Sequence, residues 1–141
     1  MIDRSTPACI AAFALALLLA TGMLFPLSLH AQSSISVLEN AHTYEFKGPL
    51  TFRLVAQSDA EISEVRLYYR TWGQTAAHRV DPAFTPGTTV EVEHTEDMDA
   101  PDNYQPPMVS FTYWWVIEDK AGNKLKTDQV SFVYEDTRYT W

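Results

Sequence analysis

Val109-Ser110-Phe111-Thr112-Tyr113-Trp114-Trp115-Val116-Ile117-Glu118 is followed by Asp119-Lys120-Ala121-Gly122-Asn123 and a second run, Leu125 to Tyr134. Phe111, Tyr113, Trp115 and Ile117 recur at every second position, the period of a half-buried β-strand. Gly122 and Asn123 supply the residue types that accept positive φ at little cost, so a tight turn is expected after Glu118. The next run alternates again, with Val130, Phe132 and Tyr134 on one face. The pair reads as an aromatic-rich β-hairpin.

Working outward, the same period recurs. Leu50, Phe52, Leu54 and Ala56 alternate with Thr51, Arg53 and Val55. Val65, Leu67 and Tyr69 alternate with Glu64, Arg66, Tyr68 and Arg70. Thr88, Val90 and Val92 alternate with Glu91 and Glu93. Short strands are expected around Tyr44–Phe46 and His78–Val80. Gln57-Ser58-Asp59-Ala60 reads as a loop, and Thr95 to Pro107, acidic and proline-bearing, as a long connection between two sheets. About seven strands with no convincing helix predict an all-β chain: an antiparallel β-sandwich, Ig-like or fibronectin III-like, with an up-and-down barrel as the alternative.

The domain organisation follows from composition. Ala8 to Leu19 is an unbroken apolar run, Pro26 breaks it, and Leu29-His30-Ala31 offers a small residue for cleavage. Residues 1–31 read as a secretory signal peptide cleaved after Ala31, with an uncleaved membrane anchor as the competing reading. Residues 32–42 read as a lead-in, 43–135 as the sandwich, and 136–141 as a truncated linker. Cys9, the only cysteine, lies before the apolar run, which argues against lipidation and leaves the exported part without a disulfide. The 110 residues after Ala31 suffice for one hydrophobic core. Eighteen acidic and ten basic residues give a net charge of −8. Such a chain repels phosphate backbones, so nucleic acid is not an expected partner.

No reactive constellation stands out. Glu91, Glu93, Glu96, Asp97, Asp99 and Asp102 cluster near the long connection but lack the Gly and the bidentate Glu of a calcium loop, so a solvated acidic loop is the expectation. His94 and Glu96 share a strand face, yet two ligands do not make a metal site. There is no Gly-x-Ser-x-Gly elbow and no glycine-rich phosphate loop. We therefore expect no catalytic residue, no metal site and no cofactor. The sharper feature is aromatic. With Val65, Leu67 and Tyr69 turned to the core, Arg66, Tyr68, Arg70 and Trp72 face outward, and so does Trp114 on the strand expected beside them. Aromatic and Arg residues of this kind are enriched at binding hot spots. The competing reading is cross-strand packing, about 0.2–1 kcal/mol per pair.

The residues Glu64-Val65-Arg66-Leu67-Tyr68-Tyr69-Arg70, Phe84-Thr85-Pro86-Gly87, Tyr104-Gln105-Pro106-Pro107, Tyr113 to Asn123 and Tyr134-Glu135-Asp136-Thr137-Arg138-Tyr139-Thr140-Trp141 resemble the N-terminal Ig-like domain of secreted bacterial proteins of the peptidase MA family. The resemblance implies an accessory domain normally followed by a gluzincin metallohydrolase domain. That hydrolase needs His-Glu-x-x-His, which this sequence lacks: His42, His78 and His94 stand apart, and no catalytic residue carries over. Met108 and Val109 also replace the family's usual Gly-Thr turn, and Phe111 stands where a tyrosine corner would need a hydroxyl. The expected function is thus a non-catalytic exported module that docks or spaces a neighbouring metallohydrolase domain. The alternatives are a free cell-surface binding module for glycan or protein, and a chain that completes a separately encoded hydrolase. Membrane contact is expected only through the N-terminal segment, if uncleaved.

Overall fold

A computed structural model describes residues 34–138. Residues 1–31, read from the sequence as a signal peptide or anchor, and residues 139–141 of the expected linker lie outside the described residues. Seven antiparallel strands follow one another: β1 (Ser36–Tyr44), β2 (Pro49–Thr71), β3 (His78–Val80), β4 (Gly87–Asp97), β5 (Val109–Asp119), β6 (Lys124–Lys126) and β7 (Val130–Tyr134). They form one sheet that curls into a half-barrel.

The curl is built on β2, which is 23 residues long. Its first part pairs with β1 and β4, with Leu54 opposite both Asn40 and Val92. Its second part pairs with β5 and β3, with Tyr68 opposite both Trp114 and Arg79. Leu50, Phe52, Leu54, Ala56 and Ile62 are fully buried at even positions, whereas Val65 and Leu67 are buried at odd ones. The phase changes where the β2–β5 register slips, between Ile62 and Glu64. A bulge of one residue flips every later side chain to the other face and sharpens the local twist. Both halves of β2 can then turn their apolar sides to one core.

That core also holds Val90 and Val92 of β4, Phe111, Tyr113, Trp115 and Ile117 of β5, and Tyr134 of β7. Burying each such side chain contributes about 1.5–3 kcal/mol. The Trp115 indole keeps its donor satisfied by Asn40 Oδ1 at 3.1 Å. The Tyr134 hydroxyl accepts the Lys47 backbone N–H at 2.8 Å, fastening β7 to the β1–β2 turn. Tyr134 packs edge-on to Phe111.

Three expectations are corrected. Gln57-Ser58-Asp59-Ala60 is not a loop but the middle of β2. Its polar residues are explained by Ser58, whose hydroxyl is turned inward and donates to Asp119. Strand β1 begins at Ser36, inside the stretch read as lead-in, because its backbone bonds to β2 from Ser36 through Tyr44 while its side chains stay half-exposed. The acidic connection is shorter than expected, since β4 runs to Asp97. After β5 the turn forms as anticipated, with Gly122 at φ 86°. The returning run is split, because Thr127 leaves the ladder to accept the Trp115 N–H on its Oγ1 at 2.9 Å.

Candidate functional site

Alternation along β2 sends Glu64, Arg66, Tyr68 and Arg70 to the side away from the core. On β5 it sends Thr112 and Trp114 there. Trp72 opens the turn that follows β2. Register brings Tyr68 opposite Trp114 and Arg70 opposite Thr112. The Tyr68 and Trp114 rings lie parallel, their planes 4° apart and their centroids 5.6 Å apart. Lys126 places its ammonium 5.1 Å from the Trp114 ring centroid. Both rings are half-buried by these neighbours.

Arg66 is committed to the sheet rather than to solvent. It donates to both oxygens of Glu64 and, at 2.6 Å, to Glu118 Oε1. These bonds, Glu64's foremost, hold the guanidinium firmly charged. Lys124 first, then Arg66, draws the Glu118 carboxyl below its usual range.

Trp72 behaves differently. Its backbone is fixed, donating to the Ser110 carbonyl at 2.8 Å. Gly73 turns the chain immediately afterwards with φ 86°. The indole itself is 84% exposed, the most exposed large apolar side chain among the described residues. Two grooves flank it. One, about 250 Å³, is lined by Arg70, Thr71, Gln74, Ser110 and Thr112. The other, about 370 Å³, is lined by Pro106, Pro107, Met108, Val109 and Ser110. Met108 is 70% exposed and adopts φ 67°, held by its N–H to the Tyr134 carbonyl at 2.8 Å.

Of the five outward residues named from the sequence, Tyr68 and Trp114 form one stacked pair. Arg66 is tied into ion pairs beside it. Arg70 and Trp72 share a groove. The proline pair, Met108 and Gln74 were missed. They sit in irregular connections, where no periodicity declares a direction; an exposed Met beside two prolines was the only available signal.

A separate cleft of about 220 Å³ opens among β2, β4 and the connection after Asp97. Glu96 stands at its wall and accepts from Tyr69 Oη at 2.8 Å and from Asn103 Nδ2 at 3.3 Å, with His94 Nε2 at 2.8 Å. Burial, with Glu96 adding to it, pushes the Tyr69 phenol well above its usual range. His94 and Glu96 are thus partners in a network that anchors the connection. His78 stacks on Tyr69 and His42 on Phe132. Glu91 pairs with Arg53. Among the described residues no group of three or more His, Cys, Asp or Glu side chains is placed to hold a metal.

No family model and no curated protein sequence matches this chain. Solved structures do. OgpA from Akkermansia muciniphila, in its catalytically inactive form complexed with an O-glycopeptide (glycodrosocin) substrate, matches with a TM-score of 0.53 at 7% identity. The match covers 74% of this chain and 30% of OgpA, and the wild-type OgpA structure matches equally. The chain therefore spans under a third of OgpA, and at this identity the likeness is one of fold. A carbohydrate-binding module family 56 β-1,3-glucan-binding domain overlaps more loosely, with a TM-score of 0.42 at 14% identity, over 67% of this chain and 95% of that domain.

Proposed function

We propose that this chain is an exported, non-catalytic binding module for glycans, including glycans carried on polypeptides. The row Tyr68/Trp114–Trp72 would be its contact surface. The observation that carries the reading is Trp72: an indole 84% exposed on a fixed backbone, between a polar groove and an apolar one. Tyr68 lies within β2 and Trp72 just past its end at Thr71, so the two rings mark successive points along one edge of the outer face. A sugar ring has apolar C–H faces and polar edges. It stacks on an indole while its hydroxyls bond to groups such as Gln74, Ser110 and Thr112. The apolar groove beside Pro106, Pro107 and Met108 suits the polypeptide that bears the sugar. Part of OgpA, whose inactive form was captured with an O-glycopeptide substrate, shares this chain's fold, which supports the reading.

A second reading is an accessory domain set before a metallopeptidase-like domain of the peptidase MA family. The likeness of the five segments from Glu64 onward to that family's N-terminal domain is what supports it. In that arrangement the same face would hold glycosylated substrate near the catalytic domain.

Immobilised O-glycopeptides, β-glucans and the matching unglycosylated peptides test the proposal. The glycosylated ligands should be retained, and Trp72→Ala should weaken retention about tenfold or more, as loss of an aromatic hot spot does. Equal retention of glycosylated and bare peptides, or indifference to Trp72→Ala, would overturn it.

A further inference from the structure

The described residues include five arginines, and four are committed to carboxylates. Arg53 meets Glu39 and Glu91, Arg66 meets Glu64 and Glu118, Arg79 meets Glu64 and Asp81, and Arg138 meets Asp136. Arg70 alone among them has no ion-pair partner in the described residues. In a chain with eighteen acidic side chains and ten basic ones, an unpaired guanidinium is conspicuous. It is also half-buried, so it is not simply waving in solvent. It lines the polar groove with Trp72, Gln74, Ser110 and Thr112. Its register partner Thr112 has its hydroxyl 2.8 Å from that of Ser131.

We infer that the Arg70–Trp72 groove selects an acidic sugar, one that carries a carboxylate. This rests on the glycan-binding reading and names the ligand class. The planar guanidinium presents parallel N–H donors that match the two oxygens of a carboxylate. The adjacent indole offers the flat apolar surface for the ring, and the hydroxyls and the Gln74 amide offer neutral partners for the remaining polar edges. The volume, about 250 Å³, suits one sugar unit rather than a long oligomer. The net negative charge of the chain does not prevent this. Charges beyond about 8 Å are largely screened at physiological salt, so the local guanidinium governs. Glu64 and Glu118 lie at the other end of the β2–β5 pairing and are already matched by Arg66, Arg79 and Lys124.

The test compares a sialylated O-glycopeptide with the same peptide after enzymatic removal of its sialic acid. Wild-type protein should bind the sialylated form about tenfold more tightly, and Arg70→Gln should bring the two to parity. Arg70→Lys should retain part of the preference, and Arg79→Gln, an ion-paired arginine of the same face, should retain all of it. Parity in the wild-type protein overturns the inference, as does a preference that survives Arg70→Gln. In either case binding of the neutral glycopeptide leaves the glycan-binding reading standing. Failure to bind either form overturns both.

Discussion

The Ser58 hydroxyl donates to Asp119 Oδ2 at 2.7 Å, joining the middle of β2 to the end of β5. Asp119 is only 5% exposed and also accepts the backbone N–H groups of Ala121 and Asn123 and the Asn123 amide. One carboxylate thus closes the β5–β6 turn and fastens it to the strand that curls the sheet. Hydrogen bonds to charged groups contribute about 1.5–3 kcal/mol each. Ser58→Ala should destabilise the fold by about that amount, read as a lower urea midpoint with an unchanged slope.

The same carboxylate makes stability pH-dependent. Donation from Asn123 first, then Ser58, pulls the Asp119 pKa from 3.8 down to about 2. A depressed carboxyl contributes stability that is complete above the unfolded-state pKa and is lost as pH falls through the folded-state value. Wild-type stability should therefore fall between about pH 4 and pH 2. Asp119→Asn should be less stable at neutral pH and show a shallower acid decline. Glu64, Glu118 and Asp136, also held low by basic partners, leave some slope. Thermal midpoints across this range check it; parallel curves for the two proteins would contradict it.

Folding and binding should separate along the outer face. Leu67 is fully buried, so Leu67→Ala should cost about 2–5 kcal/mol. Trp114→Ala loses the parallel Tyr68 ring and the Lys126 ammonium, roughly 1–2 kcal/mol together. Trp72→Ala, at 84% exposure, should stay within about 0.5 kcal/mol of wild type. Chemical denaturation ranks the three. A large loss for Trp72→Ala would mean that the indole is structural.

Much of this was legible in alternation. Phe111, Tyr113, Trp115 and Ile117 declare their shared face, and Val65 and Leu67 declare theirs. Alternation cannot show its own interruption. The slip between Ile62 and Glu64 looks, in sequence, like two strands with a loop between them. Gln57-Ser58-Asp59-Ala60 strengthens that impression, because polar residues read alike whether they face water or a buried carboxylate such as Asp119. β1 escaped for the opposite reason: backbone pairing fixes it, and Leu38, 59% exposed, contributes no core pattern. At the site, Trp72 stands in the turn just past β2, whereas the outward direction of Tyr68, Arg70 and Trp114 follows from strand period. The grooves do not, because Pro106, Pro107 and Met108 arrive from an irregular segment.

Tyr134 offers a check on how the last strand is held. Its hydroxyl accepts from Lys47, a residue at φ 57° in the β1–β2 turn. Tyr134→Phe keeps the ring contacts with Tyr44, Phe46 and Phe111 but removes that acceptor. It should cost about 0.5–1.5 kcal/mol and speed amide exchange at Lys47. Unchanged exchange at Lys47 would show that the bond does not hold the turn.

The central claim is that glycan meets the protein at Trp72, and the indole N–H signals test it directly. In ¹⁵N-labelled protein titrated with an O-glycopeptide, the Trp72 indole signal should move most. Backbone amides from Arg70 to Gln74 and from Ser110 to Thr112 should follow, while Trp115, buried and bonded to Asn40, stays still. A Trp72 signal that remains fixed while signals elsewhere shift, or a spectrum unchanged at saturating glycopeptide, would contradict the account.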